Sequence, residues 1–212
     1  MNAENQTSAK TSSKLENKNS MYLRKYSVPL NKQKSLKNSW AELIKPLVKQ
    51  MQLAVKYNYK TNCILLLPAW ALKASKPEDE NELAQSEARI TKALEYLKAY
   101  FHGFKIEDCL AILRLDDIFL QSFRVTDVKK LENDNLCRAI GRITGKKGRT
   151  KTIIENSTRT RIVICGKEIH LLGSYENIAL ARDSICNLIL GSKPTKVHNH
   201  LSVVNRKMKE CI

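Results

Sequence analysis

The chain has 212 residues, enough for one large or two small domains and for a hydrophobic core built without disulfides. Its 37 Lys and Arg outnumber 21 Asp and Glu, and the resulting formal net charge of +16 points to a polyanionic partner. A membrane surface would call for a basic amphipathic helix with exposed Trp or Phe, or a lipidation signal, and neither is evident.

The ends and the apolar content argue the same way. The sequence opens Met1-Asn2, without a myristoylation glycine, and closes Glu210-Cys211-Ile212, which is not a prenylation box. Residues 1–20 lack an apolar stretch, so no signal peptide is expected. The longest apolar run, 63–72, is interrupted by Pro68 and is too short to span a bilayer. Six cysteines stand at 63, 109, 137, 165, 186 and 211 with no C-x-x-C spacing. Most lie in apolar patterns, which predicts small buried hydrophobes and a reduced intracellular compartment, with no metal site.

In chain order, residues 1–21 are rich in Asn, Ser, Thr and Lys and predict a disordered tail. Lys10, Lys14 and Lys18 could touch nucleic acid loosely, but a solvated tail is the plainer reading. Residues 22–120 read as a first domain. It has a strand at Tyr26, a helix through Leu43 and Ile44, and a strong strand over 61–67. An acidic loop at 76–80, expected to be mobile, leads to a long helix over 80–101, with Leu83, Ile90, Leu94, Leu97 and Phe101 on one stripe. A further short helix, 106–115, turns Ile106, Leu110 and Leu113 inward. No Gly/Ser linker follows, and Phe119, Leu120 and Phe123 are apolar, so the two domains are expected to pack as one rigid unit.

Residues 121–191 form the second expected domain. Alternation over 123–131 predicts a strand. Leu136, Ile140 and Ile143 share one helix face over 135–144. A second short helix is anchored by Ile153 and Ile154 and ends near Ser157. Strands over 160–165 and 169–173 follow, separated by a Gly166 turn, and then a helix over 177–190. Residues 192–212 are basic, and Val197, Leu201, Val204 and Met208 predict a C-terminal helix lying on the second domain or against RNA.

The segment 138–161 carries the chemistry. It has eight Lys or Arg against one acid, Glu155, and at its centre lies Gly145-Lys146-Lys147-Gly148. Two glycines let backbone approach a sugar-phosphate chain, because side chains would block it. Lys146 and Lys147 supply charge, and a helix starting at Arg149 adds its positive end. Ile140 or Ile143, with the strand residues 162–164, would floor the groove for bases. Arg142, Arg149, Lys151, Arg159 and Arg161 would widen the positive surface, the last two sharing one strand face. A lone GxxG is also an ordinary surface turn. What strengthens it is the order strand, helix, GxxG, helix, strand, strand, helix, which resembles the eukaryotic-type (type I, βααββα) KH module that clamps four nucleotides of single-stranded RNA.

The first domain reads as a degenerate copy of the second. One offset places Val125 on Tyr26, Thr160 on Thr61, and the GKKG loop on Pro46-Leu47-Val48-Lys49, which has no glycine. Pro46 lacks an N–H, and Leu47 and Val48 would block a close phosphate. The first domain is therefore expected not to clamp RNA in the usual groove, but to serve as a protein-contact or packing surface. The whole is expected to be α+β, with two tandem KH-like domains packed together, a disordered N-terminal tail and a C-terminal helix.

Further blocks extend the resemblance. Arg114-Leu-Asp-Asp-Ile-Phe119, Thr126-Asp-Val-Lys129, Arg138-Ala-Ile-Gly-Arg-Ile143, the run 154–163 and Ile185-Cys-Asn-Leu-Ile-Leu-Gly191 look like the eukaryotic partner-of-Nob KH family. The likeness covers roughly residues 22–210 and is most specific over 114–196. Lys151 stands where a generic KH domain has isoleucine, and Arg159 where it has glycine; both departures fit this family. The resemblance implies a non-enzymatic, RNA-binding ribosome assembly factor in the nucleolus and nucleus, and in the cytoplasm with pre-ribosomal particles. It implies binding to the single-stranded 3′ region of small-subunit pre-rRNA and contact with the Nob-type PIN-domain endonuclease. Other pre-small-subunit assembly factors and ribosomal proteins would be further partners. A KH regulator of messenger RNA or splicing is the alternative; it would share the groove but not the block 114–119.

Other motifs carry less. Gly141-Arg-Ile-Thr-Gly-Lys-Lys147 is one residue short of a P-loop. Asp108, Asp116 and Asp117 lack the partner carboxylate a two-metal nuclease needs. His198 and His200 have no Cys or His cluster to complete a metal site. His170 is expected half-buried in a strand, and Trp40 and Trp70 are expected in cores. No cofactor, metal or catalytic residue is expected.

Overall fold

A computed structural model describes residues 22–72 and 80–210. The expected tail, 1–21, and most of the acidic loop lie outside them. The chain divides into two compact units after Phe101.

The first unit is built on strands β1 (Arg24–Ser27), β2 (Leu53–Asn58) and β3 (Cys63–Pro68), joined antiparallel in the order β1-β3-β2. Helix α1 (Gln33–Lys49) follows a short 3-10 turn, and α2 (Glu80–His102) follows one helical turn, Ala69–Leu72. Leu36, Leu43 and Leu47 of α1 are buried, as are Ile64 and Leu66 of β3 and Ile90, Tyr96 and Leu97 of α2. Tyr96 is wholly enclosed, and its hydroxyl donates to the Leu43 carbonyl at 3.2 Å. A buried phenol without that acceptor would lose ~1–3 kcal/mol to desolvation of its hydroxyl.

The expected repeat register needs correction. The strand expected over 61–67 forms over Cys63–Pro68, but it is the central one, equivalent to the last strand of the second unit. The edge strand Leu53–Asn58 is the true counterpart of the strand after the GKKG loop. A single offset fails because α1 is one unbroken helix where the second unit has two helices and a loop. Pro46 sits inside α1 near its end, and the Gln50 N–H still reaches its carbonyl at 2.9 Å.

The second unit contains α3 (Ile106–Arg114), β4 (Ile118–Arg124), α4 (Asn133–Thr144), α5 (Arg149–Thr158), β5 (Arg161–Cys165), β6 (Glu168–Ser174), α6 (Tyr175–Leu190) and α7 (Pro194–Glu210). Its strands are antiparallel in the order β4-β6-β5, the same arrangement as the first unit. Helix α3, expected in the first domain, belongs here, because Asp108 on it is tied to Arg161 of β5. The first strand runs over 118–124, earlier than expected, and Val125–Val128 is a helical turn whose Asp127 carboxylate accepts the Arg124 N–H at 3.2 Å.

One face of this sheet, through Phe123, Ile162, Ile169 and Leu171, packs against Ala139, Ile143, Ile154, Ile178 and Ile185 of the helices. Val197 and Leu201 join the same core, so α7 lies on its own unit, against α5 and α6. On the other face His170 is buried, not half-buried, with Nδ1 2.7 Å from Ser122 Oγ and its ring 3.9 Å from that of His102. Burial, then the neighbouring His102, holds its pKa below the usual histidine range. The described cysteines are unpaired. Cys109 is buried, its thiol pushed up to about 12 by burial and then by Asp108. Cys137 and Cys165 are exposed, contrary to the expectation from their apolar neighbours.

Candidate nucleic-acid interface

Helix α4 ends because Gly145 leaves the helical region, with φ 72° and ψ 175°. That backbone conformation is essentially restricted to glycine. Space makes the same demand: a Cβ at Gly145 would overlap the Thr150 side chain and lie 2.9 Å from its amide nitrogen. Lys147 (φ 55°, ψ 30°) and Gly148 (φ 77°, ψ 6°) complete a left-handed turn that delivers the chain into α5. Gly148 differs from Gly145 in that a Cβ there would meet open space, so only its φ favours glycine. The Gly148 carbonyl accepts the Thr152 hydroxyl at 3.1 Å, which holds the turn on the helix.

Lys146, Lys147 and Arg149 are exposed around this turn, at the positive end of α5. Gly145, Lys146, Lys147, Gly148 and Arg149 are thus brought together as the sequence suggests. The other expected residues divide. Lys151 is half-buried, its ammonium 3.7 Å from Glu155 Oε1 one turn along α5. Arg142 turns away from solvent; its Nη2 donates to the Ile189 carbonyl at 3.4 Å, and its Nε is buried without a hydrogen-bond partner. It lines a cleft of about 420 Å³ with Lys129, Lys130 and Arg138.

Three expected residues stand elsewhere. Ile143 is wholly buried in the helix–sheet core and offers no surface to a base. Ile140 and Ile164, with Val128 and Leu131, are partly exposed apolar residues beside that core. Arg159 is not on a strand; it caps α5 in the left-handed conformation, φ 51°. Arg161 alternates with Ile162, which points into the core, so Arg161 emerges on the opposite face of the sheet. There its Nε donates to Asp108 Oδ1 at 3.0 Å, and that bond with the nearby carboxylate charge raises the guanidinium pKa. The shared face expected for Arg159 and Arg161 does not exist.

Glu155 is the functional neighbour that composition concealed. Counted only as the lone acid of a basic run, it accepts the Ile162 N–H at 2.8 Å and so ties α5 to the edge strand β5. The signal available was its position one helical turn after Lys151. Among the described residues no group of three or more His, Cys, Asp or Glu is placed to hold a metal ion, and no helix is long and apolar enough to cross a membrane.

Known proteins resemble this chain in sequence and in fold. Residues 122–206 match the family model of the second KH domain of PNO1, a eukaryotic type (type I) KH domain. The chain is 45% identical over 188 residues to the RNA-binding protein PNO1 of Oryzias latipes, spanning 89% of this chain and 72% of that one. It is 41% identical over 204 residues to the pre-rRNA-processing protein PNO1 of Kluyveromyces lactis, spanning 96% and 68%. In fold it is similar to Dim2p from Pyrococcus horikoshii OT3, with a TM-score of 0.66 at 23% identity over 85% of this chain and 98% of that one. A structure of the a/eIF2alpha-aDim2p-rRNA complex from the same organism gives 0.68 at 22% identity over 87% and 94%. With a type I KH module in the second unit and relatives matched along nearly the whole chain, this protein belongs to the PNO1 family of KH-domain proteins.

Proposed function

We propose that this chain is an RNA-binding factor in pre-rRNA processing that holds the single-stranded 3′ region of small-subunit pre-rRNA in its second unit. The observation that carries the reading is the Gly145–Gly148 turn: one glycine is fixed against Thr150, and two exposed lysines stand at a helix start. Relatives named as RNA-binding and pre-rRNA-processing proteins support it. So does the naming of rRNA in the complex that contains the archaeal fold neighbour.

In this reading the bound 3′ region is positioned for, or restrained from, cleavage by the Nob-type PIN-domain endonuclease. The protein itself contributes no catalytic group. It would work in the nucleolus and nucleus, and in the cytoplasm with pre-ribosomal particles, beside other assembly factors and ribosomal proteins.

The test is binding of a single-stranded fragment spanning the small-subunit rRNA 3′ end across a salt series. Native protein is compared with a Lys146→Asp, Lys147→Asp variant and with scrambled RNA. Each lost phosphate contact should flatten the log–log salt slope by ~0.7. Adding the endonuclease to the bound fragment and following the cut reads the positioning role. Equal binding by both proteins would remove the RNA from this turn.

A further inference from the structure

The first unit has no glycine turn, yet between residues 22 and 72 it carries nine Lys or Arg and a single acid, Glu42. Within that charge lies an aromatic cluster. Trp40 of α1 meets Tyr57 of β2 edge-on at 5.8 Å, and Tyr57 meets Tyr59 edge-on at 4.8 Å. Tyr59 is 74% exposed, far more than an aromatic with a packing role would be. These rings, with Gln33, Leu36 and Lys37, line a cleft of about 110 Å³.

Three further features bear on what the cleft takes. Gln33 Nε2 is buried there with no hydrogen-bond partner, an amide donor left for an incoming acceptor. Lys34 and Lys37 of α1 and Lys60 of the turn after β2 are exposed around the cleft, whereas Lys56 alternates with Tyr57 and lies on the other face of the sheet. The hairpin that carries Tyr59 is held by side chains: Asn58 Oδ1 accepts the Lys60 N–H at 3.0 Å, and the Tyr57 hydroxyl donates to Asn62 Oδ1 at 3.2 Å.

We infer that this cleft is a second RNA contact, one that takes an unpaired base against Tyr57 and Tyr59 while the surrounding lysines meet its flanking phosphates. Aromatic faces joined to a basic surface are how single strands are held without a base code. The lysines repel a cationic peptide or methylated lysine, the other ligand that aromatic clusters accept. The free Gln33 donor suits the carbonyl and ring-nitrogen acceptors of a base. The contact differs in kind from the second unit's: it grips a base and needs no close approach of backbone to phosphate. It rests on the proposed RNA-binding reading but uses none of the residues of the glycine turn.

The test uses the full chain and a short single-stranded RNA of mixed sequence, followed by fluorescence anisotropy. The Lys146→Asp, Lys147→Asp protein serves as background, and Tyr59→Ala and Tyr59→Phe are added to it separately. Tyr59 is exposed in a turn, so neither change threatens the core. Removing the ring should weaken residual binding by about tenfold, within the range expected for one stacked base, and phenylalanine should restore it. An abasic RNA with the same phosphates should bind the background protein weakly and be indifferent to Tyr59→Ala. Equal residual binding by background and Tyr59→Ala proteins, or equal loss with alanine and phenylalanine, would overturn the assignment. Unweakened binding by the background protein would instead count against the glycine turn, and the Tyr59 comparison would still decide this site.

Discussion

The Glu155 carboxylate accepts the Ile162 N–H at 2.8 Å, bridging the second helix of the glycine turn and the edge strand that follows it. The same oxygen is 3.7 Å from Lys151 Nζ. One acid thus fixes the spacing between the two walls of the proposed groove and holds a lysine beside it.

Replacing Glu155 with alanine should therefore cost stability and RNA affinity together. A hydrogen bond to a charged acceptor is worth ~1.5–3 kcal/mol, and the half-buried amide would lose its partner. Glu155→Gln keeps an acceptor and should lose less stability. Urea midpoints of the three proteins, with RNA titrations alongside, check this ordering. Equal midpoints for alanine and native protein would show that the bridge is not structural.

The two glycines of the turn should not be equivalent. Gly145→Ala meets both a glycine-only conformation and the Thr150 side chain and amide. Gly148→Ala meets only an unfavourable left-handed φ in open space, a cost of ~1–2 kcal/mol. The first variant should lose more stability than the second, and shortening Thr150 to alanine in the Gly145→Ala background should recover only part, because the amide contact stays. Thermal melts of the four proteins decide it, and equal losses at both glycines would contradict the geometry.

The helix–turn–helix around Gly145 was legible because glycine, charge and helix periodicity all coincide there. Arg159 and Arg161 part for local reasons: the strand starts only at Arg161, which leaves Arg159 in the helix cap, and Ile162 takes the core face, which turns Arg161 to the far one. Its partner Asp108 is far away in sequence, and only folding brings the two together. Strand 118–124 is hidden because the alternation over 123–131 reads as the strand, while Phe119 and Leu120 before it read as packing between domains. Edge strand 53–58 is hidden although Leu53, Val55 and Tyr57 alternate, since the repeat offset sets that stretch against the helix that follows the glycine turn.

Arg161→Ala gives a direct check on that placement. The Asp108–Arg161 pair is partly exposed, so its loss should change stability by less than ~1 kcal/mol. Because the guanidinium lies on the face away from the helices, RNA affinity and its salt slope should stay near native. A slope flattened as much as by Lys146→Asp would put Arg161 in contact with phosphate after all.

His170 supplies the pH dependence. Burial and His102 hold its pKa below 6.5, the unfolded value, so between the two the unfolded chain binds more protons than the folded one. Stability should then be full above pH 6.5 and fall as the pH drops toward the folded pKa, below which this contribution is flat. His170→Gln cannot titrate, and its side-chain oxygen can still accept the Ser122 hydroxyl. Urea midpoints measured from neutral to mildly acidic pH should fall for native protein and fall less for His170→Gln. Parallel curves would assign the acid sensitivity to other groups, and a native midpoint that rises toward acid would contradict the buried neutral ring.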